Sequence, residues 1–161
     1  MASTLTAATM KVTVSENISL NGRQQGGSQT ISIPSIVNIS KRIVEVTTAE
    51  TTIATFSAAV PAAGHFVAAD VRYIRFTNLM AVGDNFITLT FRNQDNDEVA
   101  IKLDAAQSFI WNGDNTNGMT AVFNATQDAD AASDTAFGSL TNIQADANTG
   151  SCDMEIFIAS V

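Results

Sequence analysis

Alternation of apolar and polar residues is the feature that most limits how this chain can fold. It recurs in short runs and is clearest at residues 86–92, where Ile87, Leu89 and Phe91 fall on one face of an extended strand. β-Branched and aromatic residues dominate these runs, and no window longer than a few turns carries the stripe of an amphipathic helix. The pattern therefore predicts an all-β protein.

The runs also indicate how the strands are arranged. Residues 86–92 and 99–103, with a polar turn between them, predict a hairpin. Residues 71–78 are apolar on both faces, as in a strand covered on each side by a second sheet or by a neighbouring subunit. The last alternating run, at residues 152–159, places four residues on one face, and we expect them in the core: Cys152, Met154, Ile156 and Ile158. Short strands separated by polar turns favour an antiparallel β-sandwich or a jelly roll.

Composition suggests where the chain divides. Residues 58–63 are mostly small or proline, so we expect a linker at residues 58–68. It separates an N-terminal β segment or arm at residues 1–57 from a sandwich domain at residues 69–161, either as separate units or around one shared core. Pro34 interrupts a run in the first part, which favours an edge position or a strand end because proline cannot donate to the ladder.

Charge is distributed unevenly along the 161 residues. All eight basic residues lie within the first 102 positions, where eight acidic residues balance them, so the net charge of −8 arises in the C-terminal third. Nucleic-acid binding needs clustered Lys and Arg, so we expect neither direct nucleic-acid binding nor attraction to anionic membranes. No segment has the ~20 apolar residues of a membrane span, and we expect no secretion signal.

Catalytic chemistry has little support in the sequence. The single cysteine excludes an internal disulfide, and the single histidine, His65, lies in the expected linker. Cys152 lies in a predicted core strand, which disfavours a Cys–His pair. No glycine-rich segment matches a phosphate-binding loop. We expect no enzymatic activity and no cofactor.

One acidic loop leaves a metal site open. Asp95, Asp97 and Glu98 are weak calcium candidates, because carboxylates at alternate positions are typical calcium ligands. The glycine at the sixth position and the glutamate at the twelfth position of a helix-loop-helix calcium loop are missing. A polar hairpin tip is the favoured interpretation.

The only tryptophan marks a second possible ligand site. Trp111 precedes Asn112, Asp114 and Asn115, which combines an aromatic platform with hydrogen-bonding groups suited to a carbohydrate. The favoured interpretation is that Trp111 anchors the end of a strand in the core while the Asn- and Gly-rich residues form a turn. A carbohydrate-binding or adhesive module using residues 112–117 remains the alternative function.

Several segments, in the order in which they occur, carry a family resemblance. They are residues 1–7, 18–22, 41–43, 71–79, 86–89, 101–110 and 154–159. Together they resemble small virion structural proteins of marine tailed bacteriophages. The resemblance implies a non-enzymatic β-sandwich or jelly roll repeated on the particle, either as a capsid decoration or cement protein or as a tail-associated protein. It implies assembly in the host bacterial cytoplasm, and the major capsid protein or other virion proteins as partners.

The strand with two apolar faces also predicts self-association. A small sandwich with such a strand needs a partner to cover the second face, so we expect a cyclic homo-oligomer, with a trimer favoured. The interface candidates are Val71, Arg72, Tyr73 and Arg75.

Overall fold

The computed structural model describes residues 6–60, 62–94, 96–113, 118–119 and 140–161. Every regular element in those residues is a β-strand, as the alternation predicted. In chain order they are β1 (Ala8–Ser15), β2 (Ser19–Leu20), β3 (Arg23–Gln24), β4 (Ser28–Ile36), β5 (Asn38–Val46), β6 (Thr51–Ser57), β7 (His65–Val67), β8 (Val71–Asn78), β9 (Ile87–Asn93), β10 (Glu98–Leu103), β11 (Ser108–Asn112), β12 (Leu140–Ala147) and β13 (Cys152–Ser160).

Nine of these strands form two sheets that pack face to face. Sheet one has the order β10-β9-β12-β6-β7, and sheet two has the order β11-β8-β13-β5. Neighbouring strands are antiparallel, except that β6 and β7 run parallel. The predicted all-β class and sandwich architecture are confirmed, whereas a jelly-roll connectivity stays a prediction.

The main core lies between the two sheets. Alternate side chains of β8, β9, β12 and β13 point inward and are buried almost completely, with Phe76 and Phe91 the largest. The four residues predicted to face the core from the last strand do so: Cys152, Met154, Ile156 and Ile158. Each large apolar side chain buried in this way contributes roughly 1.5–3 kcal/mol to folding.

The predicted hairpin is formed by β9 and β10. Val99 lies opposite Phe91 and Ile101 opposite Leu89, so the apolar sets of the two runs share one face. The buried Asn93 shapes the turn: its side-chain amide donates to the Asp97 carboxylate (3.1 Å), and its side-chain oxygen accepts from the Asp97 backbone N–H (2.8 Å). A polar tip therefore closes an apolar hairpin.

The first four strands form a separate long hairpin, which we call the arm (residues 8–36). β1 pairs with β4, and β2 with β3 near the tip. Asn21 and Gly22 make the tip with φ values of 51° and 73°, the left-handed conformations that a tight two-residue hairpin turn needs. Gly26 lies so close to the other strand that a Cβ atom there would meet the Glu16 carbonyl oxygen at 2.0 Å. Glycine is therefore required at that point of the arm.

The base of the arm packs on the outer face of sheet two, the face that points away from sheet one. Ile33 and Ile36 of the arm form a second buried cluster with Tyr73 and Ala159. The partly buried side chains around it are Met10, Val12, Ile31, Phe157 and Val161. β8 is thus covered on both faces, as its apolar pattern predicted, and its second cover is the arm of the same chain.

Pro34 lies at an irregularity of the arm. The register shifts where Ala8 pairs with Ile36 and Met10 with Ile33, and Ser35 has a φ of 63°. Of the strands that the structure describes, β4 pairs with β1 alone, so it is an edge strand, and the bulge accommodates a residue without a backbone donor. The expected edge position of Pro34 is confirmed.

The division of the chain differs from the predicted one. β5 belongs to sheet two, and β6 and β7 belong to sheet one, so the sandwich already includes strands before residue 57 and within residues 58–68. The break between arm and sandwich comes at Val37, whose backbone N–H donates to the Ser160 carbonyl (3.0 Å). The Ala-rich segment connects two neighbouring strands of one sheet, and Phe66 beyond it is buried in the core.

Candidate functional site

Most of the predicted interface residues are buried within the chain. Val71 packs in the main core, Tyr73 lies under the arm, and Arg72 is buried with its guanidinium donating to the Ala69 carbonyl. Only Arg75 keeps about a third of its side chain exposed (34%). The second face of β8, which we expected a neighbouring subunit to cover in a trimer, is therefore covered by the arm of the same chain. Apolar surface for self-association must lie elsewhere on the chain.

A charged and aromatic cluster occupies the centre of the outer face of sheet two. The register places Lys41 and Arg75 on either side of Phe157. Glu155 accepts from Arg75 and lies 3.0 Å from the Lys41 Nζ atom. The Arg75 guanidinium also lies 5.6 Å from the centre of the Phe157 ring, a cation–π contact. The cluster ties three neighbouring strands together at the surface.

This environment changes the acidity of two groups. The hydrogen bond from Lys41, with the charges of Lys41 and Arg75, holds the pKa of Glu155 below its usual range, although burial opposes this. Burial under the arm raises the pKa of Tyr73, and the charge of Arg75 opposes that shift in part. Glu155 is therefore ionised and Tyr73 neutral at neutral pH.

Two stripes of exposed apolar side chains lie outside this cluster. The first is on the far part of the arm (residues 14–29), and its members are 48% to 60% exposed: Val14, Ile18 and Leu20. The second, which we call the β5 stripe, follows the outer side of β5 and its start, and its members are 39% to 62% exposed: Val37, Ile39 and Ile43. Exposed apolar groups gathered in this way are typical of interaction surfaces.

Sequence reasoning missed both stripes. Asn21-Gly22 between alternating residues is a strong local signal for a hairpin, and it would have indicated an arm with its own apolar face. No comparable signal separates Ile39 and Ile43 from core residues, because alternation does not say which face of a strand is covered.

Trp111 lines an apolar groove at one edge of the sandwich. Its ring meets Phe91 edge-on with 5.3 Å between ring centres, and Phe109 lies beside both. Five apolar side chains line the groove, whose volume is about 160 Å³: Phe91, Val99, Ile101, Phe109 and Trp111. Asn112 is exposed and, as the next residue of the same strand, points to the opposite face. The structure does not bring Trp111 and Asn112 together, and Asp114 and Asn115 lie outside the described residues.

The two described calcium candidates already have protein partners. Asp97 accepts from Asn93, and Glu98 forms an ion pair with Arg92, the residue opposite it on β9. Asp95 lies outside the described residues. Across the described ranges, no group of three or more His, Cys, Asp or Glu side chains is arranged to hold a metal ion.

His65 and Cys152 lie in different settings. His65 is half-buried in the short edge strand β7, and its backbone N–H donates to the Ala62 carbonyl (3.1 Å). Cys152 is buried in the main core, and burial raises the pKa of its thiol, with the charges of Asp153 and Asp84 adding to the shift. The thiol is therefore protonated at neutral pH, the unreactive form.

Comparison with known proteins adds no identification. The chain matches no protein-family model, no curated protein and no solved structure. Within the part of the chain that the structure describes, no helix has the length and apolar character to cross a membrane. What the chain does must therefore be inferred from its own surfaces.

Proposed function

We propose that this chain is a structural protein of a bacteriophage particle, a capsid decoration or cement protein without enzymatic activity. It is repeated over the shell and stabilises it through contacts between subunits. Its partners are copies of itself, with a trimer favoured, and the major capsid protein or other virion proteins. Its final location is the virion.

The observation that carries this proposal is the arm with its exposed apolar stripe. Val14, Ile18 and Leu20 lie beyond the part of the arm that packs on the sandwich. Such side chains gain free energy when a neighbour covers them, at about 25 cal/mol per Å² of apolar surface. A cement protein works by this kind of burial, repeated over many copies. The resemblance to virion proteins of tailed bacteriophages supports the same role.

The experiment that tests the proposal is quantitative mass spectrometry of purified particles from the source culture. It counts copies of this chain against the major shell protein. We expect a copy number near that of the shell protein. A few to a few dozen copies would instead indicate a tail-associated protein, and absence from the particles would overturn the virion role.

A carbohydrate-binding module is the second candidate, and the partial exposure of Trp111 at its groove is the observation that favours it. The variant Trp111→Ala separates the two functions, with Trp111→Phe as the control that keeps an aromatic ring. If the role is structural, Trp111→Ala should lower the free energy of unfolding by about 2 kcal/mol, less than the roughly 3–5 kcal/mol lost with a fully buried ring. Neither the wild type nor Trp111→Ala should then bind glycans. Glycan binding by the wild type, lost in Trp111→Ala at unchanged stability, would favour the carbohydrate module.

A further inference from the structure

The apolar face of the arm is longer than the surface that it covers. Met10, Val12 and Val14 alternate along β1, and Ile33 and Ile31 lie opposite the first two, so these side chains share one face. Met10 and Val12 pack against the sandwich, whereas Val14 is half exposed. The pairing register continues to the tip, where Leu20 lies opposite Arg23, so alternation places the exposed Ile18 and Leu20 on this face as well. A single apolar face therefore begins in a packed interface and continues beyond it.

Strand lengths explain why the arm extends past its cover. At about 3.3 Å per residue, the 13 residues of the arm from Ala8 to Leu20 reach roughly 43 Å, whereas the eight residues of β8 span roughly 26 Å. Even aligned with β8, the arm would be longer than the strand it covers. A two-stranded hairpin is only marginally stable in water without a covered face. The far part of the arm thus has an apolar face in need of a partner.

The same chain carries a matching surface on the sandwich. Among the described strands, β5 lies at an edge of sheet two and pairs only with β13. Its outer side belongs to the same face of the sheet that the arm base covers, yet Ile39 and Ile43 are more than half exposed there. The arm of the same chain leaves these isoleucines uncovered.

We propose that the far part of the arm in one copy packs on the β5 stripe of a second copy. Within one chain, the apolar face of the arm base already packs on the outer face of sheet two. The proposed contact repeats this kind of packing between two chains. The charges agree: Glu16 lies between Val14 and Ile18, and Lys41, which stays 59% exposed beside its partner Glu155, lies between Ile39 and Ile43. The inference rests on the self-association in the proposed function and names the surfaces that produce it.

The contact is heterologous, since it joins an arm to a sandwich and not like to like. Every copy offers one arm and one β5 stripe, so a chain of such contacts either closes into a ring or continues as a filament. Three contacts that close produce the cyclic trimer. Copies that all lack the same surface can make no contact with one another. A copy that lacks the arm surface and a copy that lacks the β5 stripe can still make one contact.

The test uses two variants of the full chain, measured by light scattering after size exclusion. The arm variant carries Val14→Thr, Ile18→Thr and Leu20→Thr, and the β5 variant carries Ile39→Thr and Ile43→Thr. Threonine is β-branched, a shape that strands favour, and it is more polar than the residues it replaces. Ile110→Thr is the control, because Ile110 is an exposed isoleucine on β11, the opposite edge of the same sheet. Circular dichroism and thermal unfolding check that all variants fold.

We expect the wild type and Ile110→Thr at about three times the 17.0 kDa of one chain, and each multiple variant at the mass of one chain. An equal mixture of the two variants should form a dimer and nothing larger, because only the intact arm of one and the intact β5 stripe of the other can meet. A monomeric wild type would overturn this inference and the self-association together. A wild-type oligomer that survives in either folded variant would overturn this inference alone and leave the self-association standing.

Discussion

The sandwich and the arm are built from the same kind of alternating strand, yet they bury very different amounts of it. In the sandwich, Phe76, Leu89 and Ile156 are fully enclosed because each sheet covers the other. In the arm, Ile33 is enclosed at the base whereas Leu20 near the tip is mostly exposed. The comparison teaches that alternation decides which side chains share a face, and that only a second layer decides whether that face is covered.

The opposite face of the arm strengthens the contrast. It carries hydroxyl groups, and Thr13 and Thr30 hydrogen-bond across the two strands at 2.9 Å. Lys11 and Ser32 are also exposed on this face. The arm therefore has one polar and one apolar side, a form suited to lying on a surface, whereas β8 in the sandwich is covered on both sides.

The largest expected effect is in the sandwich. Phe76→Ala should lower the free energy of unfolding by about 3–5 kcal/mol, because a ring with no exposed surface leaves a cavity between the sheets. Urea denaturation measures the change. Made in the monomeric β5 variant, where the arm contacts no second copy, the matched substitution Ile18→Ala should change it by less than about 0.5 kcal/mol. Equal losses in the two variants would contradict the contrast between the regions.

An intermediate effect is expected at the base of the arm. Ile33→Ala should lower the free energy of unfolding by about 2–3 kcal/mol. This is the lower end for a buried isoleucine, because the arm can shift to fill part of the space. Hydrogen exchange adds a second readout: backbone amides of β1 and β4 should lose protection in this variant while those of β13 keep it. Loss of protection in both regions at once would show that arm and sandwich unfold as one unit.

A smaller effect is expected from the charged cluster on sheet two. Its carboxyl group, Glu155, has a pKa below the ordinary value of 4.5, so its contribution is complete above that pH and is lost as the pH falls through the lowered pKa. Glu155→Gln should therefore lower the free energy of unfolding by about 1 kcal/mol or less at pH 7, and by less still at pH 3. Urea denaturation at both pH values checks this. A cost that is the same at the two pH values would contradict the role of the ion pairs.

The smallest effect on stability is expected from a cysteine placed in the arm. In the monomeric β5 variant, Val14→Cys should change the free energy of unfolding by less than about 0.5 kcal/mol, because Val14 is half exposed and contacts no second copy there. A thiol reagent should label this new cysteine in the folded protein, whereas buried Cys152 should react only after unfolding. Rapid labelling of Cys152 in the folded wild type would contradict the closed core.

Several parts of the fold followed from local patterns. The β9–β10 hairpin, the two-sided burial of β8 and the core face of β13 could be predicted, because alternation and strand propensity act over a few residues. The boundary between the arm and the sandwich could not be predicted in this way, and the one expected at residue 57 was misplaced. Residues 58–68 looked like a linker by composition, but a short Ala-rich crossover between two strands has the same composition as a linker between domains.

The sites were harder to predict than the strands. The sequence placed Trp111 beside Asn112, and the alternation of a strand sends the two side chains to opposite faces. It also suggested Tyr73 for an interface, and the arm buries it. The causes differ: Trp111 and Asn112 are neighbours in sequence but not on a surface, whereas for Tyr73 the alternation did not say what covers the second face of β8.

The sequence by itself determined that this chain forms β-strands, which side chains of each strand share a face, and where the acidic residues are concentrated. These properties depend on the backbone and on residues within a few positions. The tertiary structure decided what covers each face: sheet one covers the inner side of β8, the arm base covers Tyr73, and nothing within the described chain covers Ile43. Burial depends on contacts between residues far apart in sequence, and local patterns do not say which distant residues make those contacts.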